Sequence, residues 1–279
     1  MDAFWIILTG CLVAVSCAIL GSYLILRKMS MVGDAISHSV LPGIVIAYFI
    51  AGSMQSIWML IGAGVLGVLT TFLIEFFHRK GRLQTDASIG VTFTWLFALG
   101  VILVTYFASN SHIDQDCILH GEIAYVPIDL IYSEAGTPIG PKAVVILSIV
   151  LLLILLFVGF FYKELLITTF DDSFASAIGM STSKWHYALM GLVSLTTVAS
   201  FESVGAILVV AFLIAPAASA YLLTNQLKMM LMLSALFGVL SAFFGYWLSY
   251  FINGSIAGAM VTVSGIIFAI CYIIVRLKK

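Results

Sequence analysis

Asp34 and His38 are the residues of this chain whose types and spacing lend themselves most directly to chemistry. They stand in the run Gly33-Asp34-Ala35-Ile36-Ser37-His38-Ser39-Val40-Leu41-Pro42-Gly43, at the start of an apolar segment. Residues at i and i+4 of a helix share a face, so the carboxylate and the imidazole can point at one spot. A hard oxygen beside a borderline nitrogen suits Mn, Fe or Zn, and the absence of a thiolate argues against copper. Both groups are costly in lipid, which makes a functional role the default expectation. A plainer reading stands beside this one. Aspartate is a good N-cap and helix N-termini favour anions, and a solitary histidine is more often a hydrogen-bonded interior residue. Two donors do not fill a coordination shell. A second copy of the chain, water or another span must complete it, and a weak shell suits a carrier that has to release its cargo. Ser37, next to His38, is a further candidate for the pathway.

Other ionisable groups are less sharply defined. Glu202 lies between two apolar runs and is either a pathway residue or a solvated turn residue. His112, Asp114, Asp116, His120 and Glu122 cluster in one loop. They either attract an entering cation or belong to a solvated loop, and their spacing matches no metal motif. His78 and His186 fall at span ends beside basic residues, where histidine is unremarkable.

The elements that must position these groups are membrane helices. Of 279 residues, 62% are hydrophobic and 9% charged, with a mean hydropathy of +1.18; soluble domains carry about 25% charged residues. The apolar runs are roughly twenty residues long, as helices crossing a bilayer need, where barrel strands need about ten alternating ones. The expected fold is therefore all-α and integral to the membrane, one transmembrane domain over 1–279. Apolar runs fall at 4–26, 33–51, 56–77, 87–108, 142–162, 186–201, 204–224, 229–251 and 256–275. The pair meeting around Phe201–Ser203 could merge or break, so about eight to ten spans are expected. Pro42 and Pro216 should kink or break their spans, which is tolerated where backbone lines a cavity.

Charge sorts between the spans. Arg27, Lys28, Arg79, Lys80, Arg82, Lys163, Lys184, Lys228, Arg276, Lys278 and Lys279 fall on one side and only Lys142 on the other. The rich side is expected to be cytoplasmic, with the N-terminus outside and the C-terminus inside. Met1-Asp2-Ala3-Phe4-Trp5 lacks a basic n-region, so the first span does not read as a cleaved signal peptide. An outer loop, about 108–141, and an inner loop, about 163–185, stand out. In the inner loop Asp171 or Asp172 could cap a short amphipathic helix that ends at Gly179. Ala63 with Gly67, Gly238 with Ala242, and Gly254 with Gly258 have helix-packing spacing, within one subunit or across a dimer. Cys11, Cys17, Cys117 and Cys271 form no framework.

Four stretches together carry a resemblance. Leu26 to Gly43, with its Gly33-Asp34-Ala35-Ile36-Ser37-His38 core, is similar to the signature of permease subunits of bacterial manganese/zinc/iron ABC transporters. Three further matches are Thr169-Phe170-Asp171 with Phe174-Ala175 and Gly179, the run Ser203 to Ala220, and Asp116-Cys117-Ile118-Leu119-His120-Gly121-Glu122-Ile123-Ala124. They fall in order from end to end, and the last looks more like the manganese-type permeases than the zinc-type ones. The resemblance implies an ABC importer permease. Its Asp34 and His38 would coordinate the ion in transit, and its Phe170, Asp171, Phe174 and Gly179 would form the coupling helix that docks on an ATPase. It also implies a second permease copy, identical or paralogous, two cytoplasmic ATP-binding subunits and an extracytoplasmic metal-binding protein, in the bacterial cytoplasmic membrane. Mn2+ is favoured as cargo, with Zn2+ or Fe2+ fitting the same donors. No cofactor is held permanently, and no nucleic-acid partner is expected.

No G-x-x-x-x-G-K-[ST] phosphate loop occurs, so the chain is not itself the ATPase. Energy must come from a partner or from an ion gradient. A proton-coupled secondary carrier using Asp34, His38 and Glu202 is the main alternative. A permease for siderophores or cobalamin would need a roomy uncharged channel, where the Asp and His are out of place. An intramembrane metalloenzyme lacks both an HExxH and a nucleophile with its base.

Overall fold

The apolar runs become helices over most of their length in the computed structural model, which describes residues 2–51, 56–107, 122–132 and 138–277. In chain order these are α1 (Asp2–Leu26), α2 (Val32–Ser39), α3 (Leu41–Ala51), α4 (Ser56–Arg79), α5 (Thr85–Phe107), α6 (Lys142–Phe160), α7 (Tyr162–Phe170), α8 (Asp172–Ala177), α9 (Thr182–Val204), α10 (Ala206–Leu223), α11 (Leu227–Ile252) and α12 (Ile256–Leu277). Among the described residues nine stretches are long and apolar enough to cross a membrane, with α2 and α3 counting as one.

That second span is interrupted at Val40. Pro42 has no N–H to give to the His38 carbonyl, so Gly43 N–H donates to Val40 O at 2.9 Å instead and a new helix begins. Gly100 of α5 allows the break to pack, since a Cβ there would press on Pro42 and Leu41. Pro216 behaves differently: α10 runs on through it, so the expected break is absent there. The uncertain pair near Phe201–Ser203 separates cleanly at Gly205, whose φ of 80° is open to glycine and poorly tolerated by other residues. Pro138–Pro141 pairs antiparallel with Leu130–Tyr132, so the described residues include a small two-stranded sheet besides the helices.

The centre of the bundle is the second half of α1, where Val13, Ala14, Cys17, Ala18, Leu20 and Tyr23 are fully buried. Without a hydrophobic drive between helices in lipid, close approach of small residues supplies the packing. Gly238 lies against Ala14, and a methyl group on Gly21 would collide with the Leu213 carbonyl of α10. Gly67 lies equally tightly against Ser194 and Ile36. The expected pairs Ala63/Gly67 and Gly238/Ala242 therefore pack within this chain. Gly254 and Gly258 are exposed. Cys11, Cys17 and Cys271 are free thiols, and Cys117 lies outside the described residues.

Candidate metal centre

Asp34 and His38 ride on α2, whose opposite face is pinned at mid-depth in the bundle. Gly33 abuts Leu213, Ile36 reaches Gly67 beside Ser194, and the Ser39 and Thr70 hydroxyls are 2.7 Å apart. Leu213, Ser194, Gly67 and Thr70 all lie well inside their own helices. The two candidate ligands therefore sit near the middle of the membrane-length bundle, where an ionisable group is costly. The N-cap position of α2 is held by Met31 with no side-chain cap bond, so capping does not account for Asp34.

His38 Nε2 is 3.6 Å from Asp34 Oδ1. Two donors about 2.1–2.2 Å from one ion at a tetrahedral angle are separated by about 3.5 Å, so one cation could bridge them with little movement. The side chains remain 43% and 36% exposed, respectively. The His38 ring is flanked by Phe93 and Phe97 of α5, each at 6.0 Å between centroids, leaving the pair open on one side. Among the described residues no group of three or more His, Cys, Asp or Glu could hold a metal ion. His, Cys, Asp and Glu of the described residues therefore add no third ligand to the pair.

The other candidate residues lie apart from this pair. The Ser37 hydroxyl is buried and donates to Gly33 O at 2.8 Å, along its own helix. Glu202 occupies the last turn of α9 with its side chain more than half exposed and Lys142 Nζ 3.7 Å from its Oε1. It lies eight residues, about 12 Å, beyond Ser194, far from Asp34 and His38 along the bundle. Glu122 is exposed and precedes a 3-10 turn at Ile123–Tyr125. His112, Asp114, Asp116 and His120 lie outside the described residues.

The inner-loop helix forms as its cap signals require. Asp171 is the N-cap of α8, its Oδ1 accepting the Phe174 N–H at 2.8 Å. At the other end Met180 N–H donates to Ala175 O and Gly179 N–H to Ser176 O, with Gly179 at φ 84°, a Schellman termination. Phe170, Phe174 and Ile178 are more than half exposed, an apolar surface set at the basic end of the bundle.

Sequence reasoning missed a second polar cluster at that end. Glu75, buried in α4, has Oε2 3.4 Å from His186 Nε2 of α9. Arg27 reaches both His186 Nδ1 at 3.4 Å and the Thr168 and Thr169 hydroxyls of α7 at 3.1 and 3.2 Å. A second Schellman turn holds Arg27 there: Lys28 N–H donates to Ile25 O and Met29 N–H to Leu24 O, with Lys28 at φ 58°. Burial pulls the Arg27 pKa below its ordinary value, against the opposing pull of the Asp172 carboxylate. The cluster lines a cavity of about 510 Å³ together with Lys28, His78 and Thr182. The missed signal was Glu75 itself, a carboxylate inside an apolar run.

A bundle of membrane-length helices with a carboxylate and an imidazole at mid-depth has the architecture of a membrane permease. Residues 3–276 match the ABC 3 transport family, and the chain belongs to that family. It is 50% identical over 269 residues to the manganese transport system membrane protein MntD of Bacillus subtilis, covering 96% of this chain and 90% of that protein. It is 41% identical over 268 residues to the zinc transport system membrane protein TroD of Treponema pallidum, covering 96% and 72%. The solved structure of PsaBC from Streptococcus pneumoniae in complex with Fab superposes with a TM-score of 0.77 at 36% identity, covering 96% of this chain and 90% of that one.

Proposed function

We propose that this chain is the membrane-spanning permease subunit of an ATP-driven importer for a divalent transition metal, with Mn2+ the favoured cargo. The observation that carries the reading is the Asp34–His38 pair: two donors 3.6 Å apart, at mid-depth and open on one side. A second permease copy, identical or similar, would face that open side and complete the shell. Relatives bearing manganese names support Mn2+, while the zinc-named relative keeps Zn2+ in view. Fe2+ fits the same donors.

In this reading the basic end of the bundle faces the cytoplasm, the N-terminus lies outside and the C-terminus inside. An extracytoplasmic binding protein delivers the ion to the outward-open pair of permeases. Asp34 and His38 hold it transiently. Cytoplasmic ATPase subunits dock on the exposed Phe170, Phe174 and Ile178 around α8, and their ATP cycle turns the site inward by alternating access. The chain supplies the path, and the partners supply the energy. A proton-coupled carrier is less well supported, because Glu202 sits with Lys142 at a helix end rather than beside the pair.

The test is radiolabelled Mn uptake in proteoliposomes holding this chain, its ATPase and its binding protein, with and without ATP. ATP-dependent uptake abolished by Asp34→Ala and by His38→Ala, with the complex still assembled, is the expected result. Uptake that ignores ATP and follows a proton gradient contradicts it.

A further inference from the structure

Polar contacts run from the docking segment to Glu75 of α4, and α4 packs against the helix that carries the candidate metal pair. The Thr168 and Thr169 hydroxyls, one turn before Asp171, accept from the Nη2 and Nε of Arg27. A guanidinium only donates, so the His186 Nδ1 facing Arg27 Nη1 at 3.4 Å is the acceptor and the ring proton sits on Nε2. That Nε2 faces Glu75 Oε2 at 3.4 Å. It is buried and makes no hydrogen bond of good geometry, so the last link is only partly formed in this conformation.

Beyond Glu75 the connection is rigid helix. Counting eight residues back along α4 from Glu75 reaches Gly67, and eight forward along α9 from His186 reaches Ser194, the two residues that meet beside Ile36 of α2. The two antiparallel helices thus keep one register from the polar cluster to the helix that carries Asp34 and His38. Between those levels Thr70 holds Ser39 at 2.7 Å.

We propose that Arg27, His186 and Glu75 are positioning residues that transmit movement of the α7–α8 docking segment to α2 and so couple the ATP cycle to opening of the Asp34–His38 site. The inference rests on the function proposed above. Arg27 suits this task because its planar fork engages partners on two different helices at once, and a lysine has no fork to do so. The His186–Glu75 contact, at 3.4 Å and without a well-formed hydrogen bond, is the link that such a movement would tighten or part. A displacement of Thr168 and Thr169 would drag the guanidinium and, through the imidazole, either close or release that contact.

The experiment measures Mn transported per ATP hydrolysed in the reconstituted complex, together with Mn affinity of the permease. Variants are Arg27→Met, Arg27→Lys and Glu75→Gln. Transport per ATP is expected to fall by about tenfold or more, within the range of coupling between distant sites, while Mn affinity and ATP hydrolysis persist. A role confined to folding would lower the amount of active complex and leave that ratio unchanged. If these variants fail to assemble, the double variant Thr168→Val with Thr169→Val removes only the acceptors on α7, and the same ratio decides. A ratio within about twofold of the parent chain overturns the proposal. Wild-type uptake that needs no ATP would instead overturn the importer reading on which it rests.

Discussion

Removing the Asp171 carboxylate should loosen the docking helix by an amount set by one hydrogen bond. Helix α8 spans Asp172–Ala177, only 6 residues, and Ala175 is its buried residue. Little holds it beyond its caps, since isolated helices this short are unstable in water. The Asp171 Oδ1 bond to the Phe174 N–H, at 2.8 Å, satisfies one of the orphan donors of the first turn. Losing such a cap costs about 1 kcal/mol, a factor of about five in the ratio of formed to unformed helix. Asp171→Ala should therefore raise the ATPase concentration needed for half-maximal uptake by up to about fivefold, and saturating ATPase should restore the rate. Asparagine caps as well as aspartate does, so Asp171→Asn should stay near the parent value. The assay titrates purified ATPase subunit against permease in proteoliposomes and reads Mn uptake. Equal damage from Asn and Ala would refute the reasoning, because the negative charge rather than the cap would then be what the partner needs.

Acidification should weaken Mn binding, since a protonated imidazole has no lone pair for the ion. Equilibrium Mn binding that is unchanged between neutral pH and about pH 5 would remove His38 from the ligand set. Gly21→Ala drives a methyl group toward the Leu213 carbonyl, and overpacking of this kind costs about 1–3 kcal/mol. Thermal unfolding in detergent should show a lowered Tm, and an unchanged Tm would mean that α1 and α10 do not meet as closely as described.

The spans were legible because each is a long apolar run, although their number stayed open at about eight to ten until Gly205 was seen to divide α9 from α10. Local signals also carried well. Asp171 and Gly179, eight residues apart, announced both ends of α8, because caps are properties of a few adjacent residues. The break in the second span was readable from Pro42, although it falls two residues earlier, at Val40, where the missing donor is felt. Pro216 gave the same signal but its helix continues, since neighbouring packing decides which prolines interrupt. Asp34 as a cap was a plausible local reading that failed because α2 starts two residues before it, at Val32. The Arg27–His186–Glu75 cluster was not legible at all. Arg27 and His186 are 159 residues apart, and only the packing of α1, α4 and α9 brings them together. His186 therefore read as an ordinary span-end histidine until its partners were in view.

The most direct test of the metal centre is the electron spin-echo spectrum of Mn(II) bound to the purified permease complex, compared between the parent chain and His38→Ala. An imidazole nitrogen bound to the ion modulates that echo. The account predicts histidine nitrogen modulation in the parent that disappears in His38→Ala. Nitrogen modulation that persists unchanged in the variant would place the ion elsewhere and contradict the assignment of the site.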